Sequence, residues 1–314
     1  MRRLRVIPRP RRVRRAARGG DGAPRTAVAA GAGGPSGRAG TDAVPAGLGV
    51  GIGWRPPITG FVSALPGLRF TEVIAESVRP DRPASDLLAL RDRGAAVVPH
   101  GVKLSLGGAE PVADERVAHL AACAEALGAP LVGEHVAFVR AGGIEAGHLL
   151  PVPRTRAALN VLTANVRRTL DGLPVPLAVE PIAALFDWPD AEYDEAGFLT
   201  ELVERTGVLL LLDVANVYAN ARNRGADPLH LLDRLPLERV AYCHVAGGDQ
   251  AGGRYHDTHA APVPREVLDL LAELCARHRP PGVLLERDGR YPPAAELRDE
   301  LDAIADASGH PRIT

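Results

Sequence analysis

The stretch Val208-Leu-Leu-Leu-Leu-Asp213 is a short apolar run that ends in a carboxylate, and it indicates a buried parallel strand. Seven further runs of similar length lie between residues 48 and 286, and segments with helical periodicity separate them. Strands that alternate with helices form parallel sheets, and eight such units close into a barrel. The sequence therefore predicts an α/β fold, a (β/α)8 TIM barrel.

The predicted elements cover most of the chain beyond residue 47. The strands are expected at 48–53, 71–76, 96–100, 130–137, 176–180, 208–213, 239–244 and 282–286. The helices are expected at 114–127, 155–170, 194–205, 265–277 and 294–307. Because the carboxyl ends of all barrel strands open at one mouth, the side chains that follow the strands should meet there.

Side chains that can bind metal ions follow these strands, and the third to the eighth strand each end in one. Burying so many charges without partners would cost several kcal/mol each, and metal cations are the simplest compensation. Nine ligands exceed the needs of one ion, so we expect two or three ions that share carboxylates. The candidate ligands are His100, His135, Glu180, Asp213, Asn216, His244, Asp257, His259 and Glu286.

The candidate ligands offer nitrogen and oxygen but no thiolate. Imidazole with carboxylate suits zinc, iron or manganese, and the residues alone do not separate these metals. The cysteines at 123, 243 and 275 are odd in number and widely spaced, which is typical of small apolar residues in a reducing cytoplasm. His148 and His256 fall in predicted loops that could reach the mouth, so both are candidate catalytic proton shuttles.

Residues 1–47 differ in composition from the rest of the chain. They hold 11 of the 37 basic residues and two of the 38 acidic ones, and they are rich in Gly, Ala and Pro. This composition predicts a disordered tail. Two interpretations stay open: a nucleic-acid-binding or targeting tail, or a start codon assigned too far upstream. The barrel domain is predicted to span residues 48–310.

The charge and hydropathy of the remaining chain exclude two classes of partner. Without the tail there are 26 basic and 36 acidic residues, a net charge of −10, which disfavours binding to nucleic-acid backbones. No apolar run approaches the roughly 20 residues of a membrane helix. The sequence therefore predicts a cytoplasmic protein that binds neither nucleic acid nor membrane.

Several strings resemble the multinuclear non-haem iron-dependent oxidases, formerly a family of unknown function. The resemblance covers about residues 48–305, and the most specific strings are Leu-Asp-Val-Ala-Asn-Val-Tyr at 212–218 and Asp-Thr-His-Ala-Ala-Pro-Val at 257–263. The supporting strings are Gly-Val-Gly-Ile-Gly-Trp-Arg at 49–55, His-Gly-Val-Lys-Leu-Ser-Leu-Gly at 100–107, Glu-His-Val-Ala-Phe at 134–138, Leu-Leu-Pro-Val-Pro at 149–153 and His-Val-Ala-Gly at 244–247.

The resemblance implies a xylose-isomerase-like barrel that binds two or three iron ions and uses dioxygen to oxidise residues of a ribosomally made precursor peptide. It also implies a small partner protein that presents the peptide. By similarity, the first iron takes His100, His135 and Glu180. The second shares Glu180 and adds Asp213, His244 and Glu286, and the third takes Asn216, Asp257 and His259.

The chain departs from the family pattern at four positions that should line the mouth. Pro181 stands where Asn is usual, Ala215 replaces the first Asn of a pair, Ala260 stands for Gly, and Arg287 stands for Trp. Arg287 is a candidate for binding a carboxylate of the peptide. The alternative for Arg287 is an outward ion pair with a neighbouring acid.

Two other functions remain open on the sequence. The barrel and the order of ligands also resemble endonuclease IV, a zinc-dependent phosphodiesterase, but that enzyme would have His at the position of Asn216 and a basic face. A sugar isomerase or epimerase would need a lysine or a carboxylate pair for proton transfer, and Lys103 is the only lysine.

Overall fold

The structure, a computed structural model, describes residues 44–314. Most of the segment predicted to be a disordered tail, residues 1–43, lies outside this range. Within it the strands, numbered along the chain, are β1 (Gly49–Gly53), β2 (Phe70–Ile74), β3 (Ala96–Gly101), β4 (Val132–Ala141), β5 (Ile144–Pro151), β6 (Leu177–Pro181), β7 (Leu209–Asp213), β8 (Val240–Val245), β9 (Gly247–Ala251), β10 (Arg254–Ala261) and β11 (Gly282–Leu285).

Helices follow or connect these strands. They are α1 (Thr59–Ala64), α2 (Ser85–Asp92), α3 (Asp114–Leu127), α4 (Arg156–Gly172), α5 (Glu195–Thr206), α6 (Val214–Arg224), α7 (Pro228–Leu232), α8 (Arg265–Arg277) and α9 (Ala294–Ser308). Among the described residues, none of the helices combines the length and the apolar character needed to cross a membrane.

Eight of the strands form a closed parallel barrel, as predicted. Neighbouring strands pair in parallel around the barrel, and the last strand, β11, pairs with β1 to close it. The order of the strands is β1, β2, β3, β4, β6, β7, β8 and β11. The eight strands lie within four residues of their predicted bounds. Buried parallel strands are recognisable in sequence because both their faces are apolar.

Two β-hairpins at the mouth were not predicted. β4 continues beyond the barrel and pairs antiparallel with β5, and β9 pairs antiparallel with β10. The turn of each hairpin is a Gly-Gly pair with positive φ, Gly142-Gly143 and Gly252-Gly253. A left-handed conformation at two consecutive positions is what a tight hairpin turn requires, and glycine adopts it without strain.

The core has two layers, one between the helices and the strands and one inside the barrel. The inner layer fills the lower part of the barrel with apolar side chains, among them Phe70, Leu131, Leu209 and Leu211. The polar residues of the barrel interior therefore lie above an apolar floor, toward the carboxyl ends of the strands.

Candidate metal centre

All nine predicted ligands meet at the carboxyl-terminal mouth of the barrel. Successive strand residues point to opposite faces, so every second side chain faces the interior. In β7, Leu209 and Leu211 contribute to the floor, and Asp213 follows them at the mouth. The same alternation brings other strand-end residues into this upper layer, namely His100, His135, Glu180, His244 and Glu286.

The first group of ligands is His100, His135 and Glu180. Nε2 of His100 lies 3.3 Å from Nε2 of His135 and 3.3 Å from Oε2 of Glu180. Nε2 of His135 lies 3.5 Å from the same oxygen, so the three donor atoms converge as the ligands of one ion would. Gly133 permits this arrangement, because a Cβ there would lie 2.2 Å from Nδ1 of His100.

Glu180 also belongs to a second group, with Asp213, His244 and Glu286. Nδ1 of His244 lies 3.1 Å from Oε2 of Glu286 and 3.6 Å from Oε2 of Glu180. One potential ligand atom from each of the four residues lies within 4.8 Å of the others. Because Oε2 of Glu180 faces both groups, it occupies the position of a bridging carboxylate.

The third group contains Asp213, Asp257 and His259. Nε2 of His259 lies 2.5 Å from Oδ2 of Asp257. The backbone of His259 is left-handed, with φ of 51°, a conformation that is rare outside glycine and clusters at functional sites. Asp213 therefore faces two groups, whereas the sequence placed it in the second group alone.

Asn216 lies in the first turn of α6, beside the second and third groups. Its Nδ2 donates to Oε1 of Glu180 at 3.2 Å and to the carbonyl oxygen of Pro181 at 3.3 Å. Its side-chain oxygen, the atom that would bind a metal ion, is buried and has no hydrogen-bond partner. This geometry is compatible with a ligand role for Asn216, which stays a prediction.

Unpartnered buried atoms are concentrated in this cluster. Buried polar atoms of folded proteins nearly always have a hydrogen-bond partner, so each exception needs an explanation. Nitrogen and oxygen donors of this kind suit zinc, iron or manganese, and the residues therefore fit a multinuclear metal centre. The unpartnered atoms of the predicted ligands include Oε2 of Glu180, Oδ2 of Asp213, Oδ1 of Asn216, Nδ1 of His244 and Oδ1 of Asp257.

Three of the four imidazoles hold one ring nitrogen against a fixed acceptor and leave the other nitrogen facing the cluster. Such outer acceptors fix the tautomer and the orientation of metal-binding histidines. Two of the acceptors, Glu72 and Asp288, were not among the predicted site residues. The three pairs are His135 Nδ1 with the carbonyl oxygen of Gly101 (3.2 Å), His259 Nδ1 with Oδ2 of Asp288 (3.2 Å), and His244 Nε2 with Oε2 of Glu72 (2.9 Å).

Arg55, which follows β1, is another residue that the sequence analysis did not assign. Its side chain is almost fully buried, its Nε donates to Oδ1 of Asp288 at 2.7 Å, and its Nη2 lies 3.5 Å from Oε1 of Glu286. His259, Glu286 and Asp288 are close enough to hold an ion. The guanidinium of Arg55 already supplies positive charge to Glu286 and Asp288. This group of three residues is therefore not assigned as a further metal site.

The buried carboxylates favour the protonated forms of three cluster histidines, His135, His244 and His259, because they raise the pKa values of these side chains. Burial lowers the pKa of His135, but nearby carboxylates, Glu180 foremost, outweigh burial and raise this pKa to about 9. Burial likewise opposes the charged forms of His244 and His259, yet Glu286 and its neighbours raise both pKa values well above the usual value. Metal ions and protons therefore compete for the same nitrogen atoms.

Metal binding at pH 7 is expected to release protons, and the metal affinity is expected to increase as the pH rises toward 9. The reason is that His135, His244 and His259 must lose protons before they can bind an ion. Calorimetric titration with Zn²⁺ in two buffers of different ionisation enthalpy would measure the protons released. An identical heat of binding in both buffers would contradict this prediction.

The sequence also matches a known protein family over most of its length. A family model described as the RiPP precursor modification enzyme MbnB/TglH/ChrH matches residues 49–308, where RiPP denotes a ribosomally made, modified peptide. The chain belongs to this family. The family resemblance stated from the sequence motifs is thereby confirmed.

Two relatives of this MbnB/TglH/ChrH family member are named as UPF0276 proteins. A UPF0276 protein of Streptomyces avermitilis is 58% identical over 264 residues, which cover 82% of this chain and 54% of that protein. A UPF0276 protein of Caulobacter vibrioides is 36% identical over 258 residues, which cover 81% of this chain and 92% of that protein. The chain thus spans about half the length of the Streptomyces relative.

Solved structures support the predicted xylose-isomerase-like barrel. Endonuclease IV from Thermus thermophilus superposes with a TM-score of 0.54 at 20% identity and covers 82% of this chain and 98% of its own. A xylose isomerase domain protein from Planctomyces limnophilus gives a TM-score of 0.55 at 13% identity and covers 84% and 98%. At these identities the similarity shows the fold alone.

Arg287, predicted as a possible substrate-binding residue, points away from the mouth of this family member. Its side chain is 2% exposed, and its Nη2 donates to both carboxylate oxygens of Glu300 in α9, at 2.8 and 2.6 Å. Because Glu286 faces the barrel interior, the next residue along the chain faces the helices. The prediction that Arg287 binds substrate is therefore corrected. Arg287 instead forms an ion pair with a neighbouring acid, which was the alternative, but this ion pair is buried and does not point outward.

The two candidate proton shuttles lie in hairpin strands and not in loops. His148 is exposed in β5, and Nε2 of His256 in β10 lies 3.2 Å from the carbonyl oxygen of Ala251 within the same hairpin. Their catalytic role stays a prediction.

Two of the four positions that depart from the family pattern contact the candidate ligands directly. The carbonyl oxygen of Pro181 accepts a hydrogen bond from Asn216, and the backbone N–H of Ala215 donates one to Asp213.

Proposed function

We propose that this chain is an iron- and dioxygen-dependent oxidase that modifies a residue of a ribosomally made precursor peptide. The observation that carries the proposal is the buried set of unpartnered nitrogen and oxygen donors at the barrel mouth. Two or three ions would satisfy these donors. Membership of a family of precursor modification enzymes supports a peptide as the substrate.

The proposed ligands divide into three sites that share carboxylates. His100, His135 and Glu180 would hold the first ion, and Glu180 would bridge it to a second ion held also by Asp213, His244 and Glu286. Asn216, Asp257 and His259 would hold a third ion, with Asp213 near enough to contribute. Iron in these sites would supply the dioxygen chemistry and would lower the pKa of a substrate group that binds to it.

The contribution of the chain itself is to hold these donors in place before a substrate arrives. The outer acceptors keep the ring nitrogens of His135, His244 and His259 aimed at the cluster. Arg55 balances the charge of Glu286 on the outer side. Because most of these groups are buried, little rearrangement is needed when a substrate binds.

A loop beside the cluster offers a contact surface for the peptide. Residues 182–194 follow Glu180 and Pro181, and this loop exposes Phe186 and Trp188 with ring centroids 5.5 Å apart. The loop is fixed, because Trp188 Nε1 donates to the carbonyl oxygen of Pro151 at 2.7 Å and Arg224 holds Asp187 through two hydrogen bonds. Rigid exposed aromatic residues are typical of peptide-binding surfaces.

The remaining elements of the proposal concern partner and compartment. We propose that a small partner protein presents the precursor peptide to the enzyme. We also propose that the reaction takes place in the cytoplasm. Nucleic acid is not the proposed substrate, because the chain beyond residue 47 carries a net charge of −10.

The test is to co-express the enzyme with the precursor peptide encoded nearest to its gene, together with any small protein encoded beside it. We expect a mass change of the peptide that requires iron and air and is lost in the Glu180→Ala variant. Intact-mass spectrometry of the peptide, with cultures held under nitrogen as the control, measures it. Cleavage of abasic DNA by the zinc-loaded protein, with every peptide unchanged, would replace the oxidase by a phosphodiesterase.

A further inference from the structure

Glu72 lies inside the barrel directly below the ligand layer. It belongs to β2, and its side chain is 1% exposed. Oε2 of Glu72 accepts a hydrogen bond from the hydroxyl of Tyr242 at 2.6 Å and another from Nε2 of His244 at 2.9 Å. The same oxygen lies 3.9 Å from Nδ1 of His100. One buried carboxylate oxygen therefore faces histidines of both the first and the second ligand group.

The hydrogen bond to Glu72 decides which nitrogen of His244 is available to an ion. A carboxylate accepts and does not donate, so Nε2 must carry the hydrogen. In a neutral imidazole, Nδ1 then holds the free lone pair. Nδ1 is the atom that faces Glu286 and Glu180 and has no hydrogen-bond partner.

We infer that Glu72 is a positioning residue that fixes the tautomer and orientation of His244 for metal binding. The inference rests on the metal-binding part of the proposed function. The imidazole of His244 lies between Glu72 and the atoms that would bind the ions. Glu72 therefore acts through this histidine and is not itself a ligand. Removing an outer acceptor of this kind typically lowers metal affinity by about 10–100-fold.

The first experiment compares Glu72→Gln with Tyr242→Phe. A glutamine carries no charge, so its amide oxygen is a weaker acceptor for Nε2 of His244 than the carboxylate oxygen is, whereas Tyr242→Phe leaves the bond between Glu72 and His244 in place. We expect Glu72→Gln to weaken Co²⁺ binding about 10–100-fold and to alter the visible absorption of bound Co²⁺. Tyr242→Phe should bind Co²⁺ as the unmodified protein does. Competition with a chelator measures the affinities, and circular dichroism checks folding.

The outcomes separate this inference from the proposed function. If the unmodified protein binds no metal, the proposed metal centre fails, and the inference fails with it. If the unmodified protein binds Co²⁺ and Glu72→Gln binds it equally well, only the inference is overturned. An equal loss in both variants would also overturn it, since Glu72 would then serve only the contact between side chains of β2 and β8 across the barrel interior.

A second measurement needs no variant and holds even if Glu72→Gln fails to fold. In the Zn²⁺-loaded protein labelled with ¹⁵N-histidine, we expect His244 to carry its hydrogen on Nε2 and to bind zinc through Nδ1. Long-range ¹H–¹⁵N correlation spectra distinguish the two ring nitrogens. Zinc bound through Nε2 of His244 would overturn the inference, whatever the activity of the enzyme.

Discussion

Replacing Glu180 with alanine is expected to remove most of the bound metal, whereas replacing Asn216 with alanine should remove at most about one ion per chain. Oε2 of Glu180 lies 3.3 to 3.6 Å from donor nitrogens of His100, His135 and His244, so its loss affects two proposed sites. It also leaves neighbouring cations with less negative charge around them. Asn216 would contribute one neutral oxygen to the third site.

The measurement is iron per chain by elemental analysis after anaerobic purification of both variants. Asn216→Ala is the matched control, because it removes a buried side chain of the same cluster that donates a hydrogen bond to Glu180 itself. Equal loss of iron in the two variants would show that Glu180 is not shared between sites.

Arg287→Ala is expected to destabilise the protein by about 3–5 kcal/mol, because it leaves the nearly buried carboxylate of Glu300 without its cationic partner, with only the backbone N–H of Val263 still donating to it. In a domain of this size the loss corresponds to a fall in Tm of about 6–20 °C. The comparison variant is Arg79→Ala, whose ion pair with Asp81 is highly exposed and should contribute about 0–1 kcal/mol.

Thermal unfolding of the metal-free proteins, followed by circular dichroism, measures both changes. The buried ion pair between α9 and the strand end of β11 predicts a large fall in Tm for Arg287→Ala and almost none for Arg79→Ala. An unchanged Tm for Arg287→Ala together with weaker peptide binding would restore the role of Arg287 in substrate recognition.

The barrel strands could be predicted from the sequence because their burial leaves a direct pattern. A run such as that of β7 is apolar on both faces, and its carboxylate at the end is the exception that indicates the mouth. The hairpins were missed because β5 is largely exposed and carries no apolar alternation. Their Gly-Gly turns were a usable signal, since consecutive glycines favour tight hairpins.

The clustering of the candidate ligands was predictable for the same reason as the strands, but the residues behind them were not. Glu72 occurs within an apolar strand, and only the closure of the barrel, which brings side chains of β2 and β8 together across its interior, shows that it meets His244. Arg55 and Asp288 come together across 233 residues of sequence. The orientation of Arg287 could have been anticipated, because the alternation of β11, continued beyond Leu285, directs Glu286 inward and its successor outward.

Among the described residues, the apolar floor closes the lower end of the barrel interior and leaves the carboxyl-terminal mouth open to the ligand layer. Phe70, Leu131, Leu209 and Leu211 fill the lower interior, so the route to the ligand layer is through the upper rim. Under the proposed function, ions, dioxygen, peptide and product would all share that passage. The ions would then have to bind before the peptide. A bound peptide would slow the release of the ions until the product leaves.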